Sequence, residues 1–220
     1  MIRQIEMDWR AMKCYQVRIF LLPVFAAAIG MYNPLLVIPT SAVMFLFFSI
    51  NVFAVEEKGD LNRLYLTLPI PRSSIVMGRF IFSTAMGLSG ILTGIPVMLL
   101  ITPYAASQYY GPPVWYFSII AVSLLLIAFL NLAMFPILFK LGYGKGKFWG
   151  FILPLAFISL LYGGYAVASG LPGNELLSFN LMEYAYKNLL AVSGGFILLS
   201  AVLLFTSYEI SKILYSRRDF

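Results

Sequence analysis

Reactive side chains are scarce in this 220-residue chain: 15 Lys and Arg, 9 Asp and Glu, one cysteine (Cys14) and no histidine. Nucleophilic catalysis needs an activated dyad, and a metal site needs several ligands held together. Neither set can be assembled, because no charged residue occurs in 19–55, 80–139, 148–174 or 188–208. Ion-coupled transporters carry ionisable groups within their spans, and these tracts have none, so that class is set aside. No GxxxxGK[ST] loop is present, so nucleotide binding of the P-loop kind is excluded as well. Neither a catalytic residue nor a metal ligand set is expected, and the single cysteine rules out an internal disulfide. What remains is one dense cluster, EEKGDLNRLYLTLPIPR, residues 56–72. Its residue types suit contact with another surface rather than bond making.

The cluster divides into functional parts. Glu56 and Glu57 end an apolar tract, and Gly59-Asp60 offers a turn and an N-cap whose carboxylate can accept from free helical amides. Leu61, Leu64, Tyr65 and Leu68 fall at i, i+3, i+4 and i+7, one apolar stripe on about two helical turns, with Arg63 beside it. Pro69 and Pro71 stop the helix, since proline lacks the amide and clashes with the preceding turn. Arg72 and Arg79 flank the return to apolar sequence. An isolated helix this short is marginal in water. It needs a surface to pack on, its own bundle or another protein; the other reading is an ordinary loop lying on lipid headgroups.

The elements that must position this cluster are membrane spans. Hydrophobic residues make up 61% of the chain and charged residues 11%, with mean hydropathy +0.88, whereas soluble domains carry roughly 25% charged residues. A spanning helix needs about 20 mostly apolar residues. The expected fold is an all-α integral membrane protein, one domain over 1–220 with six transmembrane helices at about 17–31, 35–55, 73–101, 115–139, 149–169 and 188–208. Residues 1–15 read as an interfacial amphipathic helix, with Ile2, Ile5, Trp9 and Met12 opposite Arg3, Glu6, Arg10 and Lys13. Tyr32-Asn33-Pro34 is a tight turn, Ser73 or Ser74 caps the third span, and 102–113 is a Pro-rich loop. Residues 140–147 form a flexible basic loop, and the outer segment 170–187 holds a short helix.

Of the 15 Lys and Arg, all but Lys187 fall on one face of this arrangement. The excess marks the cytoplasmic side, so both termini and segment 56–72 are expected there. The formal net charge of +6 follows from the same rule, and no nucleic-acid partner is expected. Met1–Lys13 mixes acidic and basic residues without an early apolar core, so it is not a cleavable signal.

The stretch from Glu57 through Lys58-Gly59, Leu68-Pro69-Ile70-Pro71-Arg72 and Val76-Met77-Gly78-Arg79-Phe80 resembles the loop after the second span in type-2 ABC exporter permeases. It is most similar to the bacterial branch that exports phenol-soluble modulins and antimicrobial peptides. The resemblance implies half of a membrane channel in the bacterial cytoplasmic membrane, paired with a second copy or close paralogue. Each half would dock on a separate ABC-type ATPase through a cytoplasmic coupling helix at 59–68, with ATP and Mg bound only by that ATPase and no cofactor on this chain. Residues 1–15 then resemble the family's interfacial elbow, and 170–187 its outer helices.

Charge-free spans favour amphipathic or lipid-like cargo over sugars and ions. Amphipathic or cytolytic peptides lead; lipids and hydrophobic drugs are alternatives, and so is a non-pumping immunity or sensor protein. Small residues such as Ser89-Gly90 and Ser193-Gly194-Gly195 let helices approach closely. Asn51 and Asn131 are read as bonds between helices or as a cavity lining.

Overall fold

The computed structural model describes Trp9, Ile19 and residues 21–59, 71–105, 113–169 and 187–217. Among these the regular elements are all helical. Helix α1 is Leu21–Gly30, α2 is Val37–Ser49, α3 is Asn51–Lys58, α4 is Arg72–Ile101 and α7 is Leu189–Ser216. The long stretch Pro113–Ser169 is helical except at Gly142, which divides it into α5 (113–141) and α6 (143–169).

Four helical stretches among the described residues are long and apolar enough to cross a membrane: Pro34–Lys58, Ser73–Tyr104, Trp115–Ala156 and Leu189–Ser216. The third contains the Gly142 break. The described part of helix α1 is 10 residues, about 15 Å at 1.5 Å per residue.

Local chemistry explains the boundaries. Asn33 is extended and its side chain accepts from Leu35 N at 3.1 Å, while Pro34 opens a 3-10 turn before α2. The apolar run continues through Ile50, so α2 and α3 form one nearly unbroken rod ending at Lys58, three residues beyond the expected end. Pro71, extended at φ −66° and ψ 135°, starts α4 without a side-chain cap. Ser73 and Ser74 therefore lie inside the first turn, where the Ser74 amide bonds the Pro71 carbonyl at 2.9 Å, instead of capping it.

The expected flexible loop over 140–147 is corrected most clearly. Only Gly142 is non-helical, at φ 77° and ψ 179°, a left-handed φ that glycine adopts without a Cβ clash. Beyond it the chain folds back: a Cβ on Gly146 would lie 3.2 Å from Leu138 Cα, and one on Gly150 would lie 3.8 Å from Met134 Cα. Helices α5 and α6 are thus an antiparallel hairpin turned by one residue.

Pairings across the bundle fix the remaining directions. Helices α2 and α4 are antiparallel, with Gly94 against Ile38, Gly90 against Ala42, and Ser83 near Ser49. Helix α4 is antiparallel to α5 through Gly87 and Ile127, Ser83 and Asn131, and Phe80 and Phe135. Helices α5 and α7 run parallel, pairing Ser118 with Ser193, Asn131 with Ser207 and Phe139 with Tyr215. The return leg through α6 makes that parallel pairing possible. Glu56, Arg79, Phe139, Gly142 and Tyr215 consequently share one end of the bundle, here called the basic end. Of the expected interfacial helix only Trp9 is described, helical and half-exposed; Ile2, Ile5 and Met12 lie outside the described residues.

Close contact between α2 and α4 depends on Gly90, where a Cβ would lie 2.7 Å from the Ser41 carbonyl oxygen. Nothing lies within 4 Å of a Cβ on Gly194. Gly90→Ala is expected to destabilise the protein by about 1–3 kcal/mol, the usual cost of overpacking. Gly194→Ala should leave stability unchanged or raise it by up to about 1 kcal/mol, the propensity gain of alanine over glycine in a helix. Unfolding in detergent micelles distinguishes the two.

Candidate functional site

Segment 56–72 is described only at its rims. Asp60, Leu61, Arg63, Leu64, Tyr65, Leu68 and Pro69 lie outside the described residues, and so does the expected outer segment up to residue 186. The rims themselves are firmly held. The amide of Gly59 closes α3 onto the Val55 carbonyl at 2.9 Å, and Pro71 opens α4. The chain therefore leaves one helix and joins the next within a few residues of two buried charges.

Those charges are Glu56 and Arg79. The Arg79 Nη1 lies 2.5 Å from Glu56 Oε2, and the side chains are 3% and 7% exposed. Sequence alone put Glu56 where the span leaves the bilayer and found no ionisable group within the spans. Instead α3 carries Glu56 inward, and Arg79 sits about two turns into α4. The guanidinium also lies over the Phe53 ring, 4.5 Å from its centroid, and 6.0 Å from that of Phe139. Around it Phe53, Phe80, Phe135, Phe139 and Tyr215 pack edge-on or tilted at 4.8–6.0 Å. Such a pair gains little net energy over an apolar isostere, yet removing one partner strands a buried charge at a cost of about 3–5 kcal/mol. A cation over aromatic faces adds about 2 kcal/mol when desolvated. The arrangement suits a fixed junction joining α3, α4, α5 and α7 at the basic end.

Glu57, next in sequence, points elsewhere. It is exposed, and its Oε2 accepts from the Gly144 amide at 2.8 Å. The break at Gly142 leaves the first amides of α6 without partners within the helix, and a carboxylate at a helix N-terminus is favoured by the helix dipole. A Cβ on Gly144 would lie 2.7 Å from Glu57 Oε1, so an added methyl would displace the carboxylate from this position. Glu56 and Glu57 both border a cavity of about 10 Å³, lined also by Arg79, Gly142 and Tyr143 among others.

Half-way along the bundle runs a second polar group, a seam of hydroxyls. Ser83 Oγ donates to Asn131 Oδ1 at 2.9 Å, and Ser207 Oγ donates to the Asn131 carbonyl at 3.0 Å. Ser49 Oγ lies 2.6 Å from the Leu46 carbonyl and 3.3 Å from Ser83 Oγ, with one proton for the two acceptors. All four side chains are buried. Asn131 thus bonds between helices, as expected, whereas Asn51 donates only to Phe48 in its own helix rod. Sequence reasoning missed Arg79 as a buried partner. The available signal was an arginine seven residues beyond Arg72, the first residue of a helix with no other charge, following a span that ends in glutamates.

With helices, junction and seam in place, the comparison with known families is decisive. Residues 2–216 match the model for the ABC-2 family transporter protein. The chain belongs to the ABC-2 transporter family. No curated relative and no solved structure matches it. An ABC-2 membrane protein is the permease subunit of an ABC transporter, multi-pass and generally non-catalytic, and the family implies an ABC ATPase as partner.

Within this ABC-2 permease the buried pair sets the stability of the basic end. Arg79→Ala is expected to cost about 3–5 kcal/mol, because Glu56 remains buried without its partner. The double variant Glu56→Leu with Arg79→Met should regain most of that loss. Unfolding by denaturant in micelles, for the single and double variants, measures both.

Proposed function

We propose that this ABC-2 permease subunit is one half of an ATP-driven exporter, and that segment 56–72 is the element on which its ATPase acts. In this reading the basic end faces the cytoplasm, six spans cross the membrane, and a second copy or close paralogue completes the pathway. The observation that carries the proposal is the Glu56–Arg79 junction. It clamps both rims of a short amphipathic segment to a rigid aromatic core, as force transmission requires. A loop that merely lay on headgroups would need no buried ion pair at its base, given what burying two charges costs.

The proposed cargo is an amphipathic peptide. An apolar groove of about 470 Å³ opens between α4 and α7, lined by Met77, Ile81, Thr84, Leu88, Leu204 and Phe205 among others. Thr84 and Tyr208 carry the only hydroxyls of this lining, and no side chain in it is charged. Such a surface accommodates an apolar helix face and repels sugars and ions, whose polar groups would be left unpaired.

Replacing the stripe tests the proposal. Leu64→Asp with Tyr65→Asp should leave membrane insertion intact and abolish transport-linked stimulation of the ATPase that co-purifies with the protein. Normal stimulation and export by this variant would show that the segment is only a surface loop.

A further inference from the structure

The Glu56–Arg79 junction and its aromatic surround join α3, α4, α5 and α7, and on their own they do not reach α6. Helix α6 has no share in that ion pair. It meets the rim of segment 56–72 at Glu57, whose carboxylate holds the Gly144 amide at 2.8 Å.

We infer that Glu57 is a positioning residue that makes α6 follow the end of α3, with Gly142 as the pivot. Three features converge on this. Glu57 lies three residues before Asp60 and one after the buried Glu56, so it moves with the rim of the segment. Gly144 lies two residues beyond the left-handed Gly142, the single non-helical residue between α5 and α6. Any rotation of α6 against α5 concentrates there, because helices resist bending and a lone break does not. The contact itself is direct. The hydrogen bond draws the α6 N-terminus along with the end of α3, and the Glu57 carboxylate sits close over Gly144, its Oε1 2.7 Å from where a Cβ would lie. Glu56 and Glu57 therefore divide the work: one anchors the segment to the core, the other links it to a helix hinged on that core.

This inference rests on the coupling role proposed for segment 56–72, and the two can fail separately. In a Cys14→Ser background, spin labels are placed at exposed Lys58, Phe148 and Val122, the last as a reference on α5. Distances are measured by double electron–electron resonance in lipid nanodiscs, with the co-purifying ATPase, before and after trapping with ATP and vanadate. The expected result is that both Lys58–Val122 and Phe148–Val122 change on trapping, by the roughly 1–2 Å or more typical of helix shifts. Glu57→Gln, which retains an acceptor oxygen, should behave alike. In Glu57→Ala and in Gly144→Ala, Lys58–Val122 should still change while Phe148–Val122 stays fixed. If Phe148–Val122 changes as much in Glu57→Ala as in the parent, or stays fixed in the parent, the link is refuted and coupling stands. If Lys58–Val122 stays fixed in the parent, the coupling reading fails and the link fails with it.

Discussion

A buried ion pair in an apolar helical protein is the constraint around which the basic end is built. Glu56 and Arg79 are 23 positions apart in sequence and separated by the most polar segment of the chain, yet their side chains meet almost fully shielded from solvent. Stranding either charge would be costly, so α3 and α4 cannot part at this end without unfolding locally. Phe53 and Phe139 face the guanidinium, and the rings of Phe80, Phe135 and Tyr215 packed on them extend the same restraint to α5 and α7. Other features of the basic end then follow: the short rims of segment 56–72, the inward turn of Glu56, and the outward placement of Glu57 onto the neighbouring hairpin.

Further along the helices, cohesion comes from a different source. Without a hydrophobic driving force between helices in lipid, packing and hydrogen bonds must hold them together. Gly90 and Gly94 bring α2 and α4 to backbone contact, and Asn131 accepts from α4 and α7 at once. Hydroxyl-to-amide bonds of this kind are worth about 1 kcal/mol each, far less than a stranded charge. The bundle is thus stiff at the basic end and more loosely joined midway, with the outward face of α7 left to its surroundings: Leu198, Val202 and Phe205 are largely exposed. That gradient suits a machine driven from one end.

Much of this was legible in the sequence, and the gaps have identifiable causes. Charge-free tracts located the helices because the bilayer forbids unpaired charge, and the Tyr-Asn-Pro turn announced itself through residues with fixed turn preferences. The hairpin at Gly142 was hidden: three glycines and three lysines in eight residues look like a flexible loop. Here two of those glycines serve close approach, Gly144 to Glu57 and Gly146 to Leu138, and one alone makes the turn. Arg79 was read as a membrane-flanking charge because its partner is specified only by tertiary structure. Asn131 was legible as a bond between helices, since a buried amide has few other uses. The ABC-2 family membership confirms the broad resemblance seen around residues 57–80, while the cargo depends on surface shape that no local motif encodes.

The most direct test of force transmission through the buried junction is ATP turnover by the co-purified ATPase, measured in proteoliposomes with Glu56→Leu/Arg79→Met. This variant keeps the core filled but replaces a directional ion pair by apolar contacts that allow slippage. The expected result is a folded, ATPase-bound permease whose turnover no longer responds to cargo peptide. Wild-type stimulation by the same peptide in this variant would contradict the central role given to the pair.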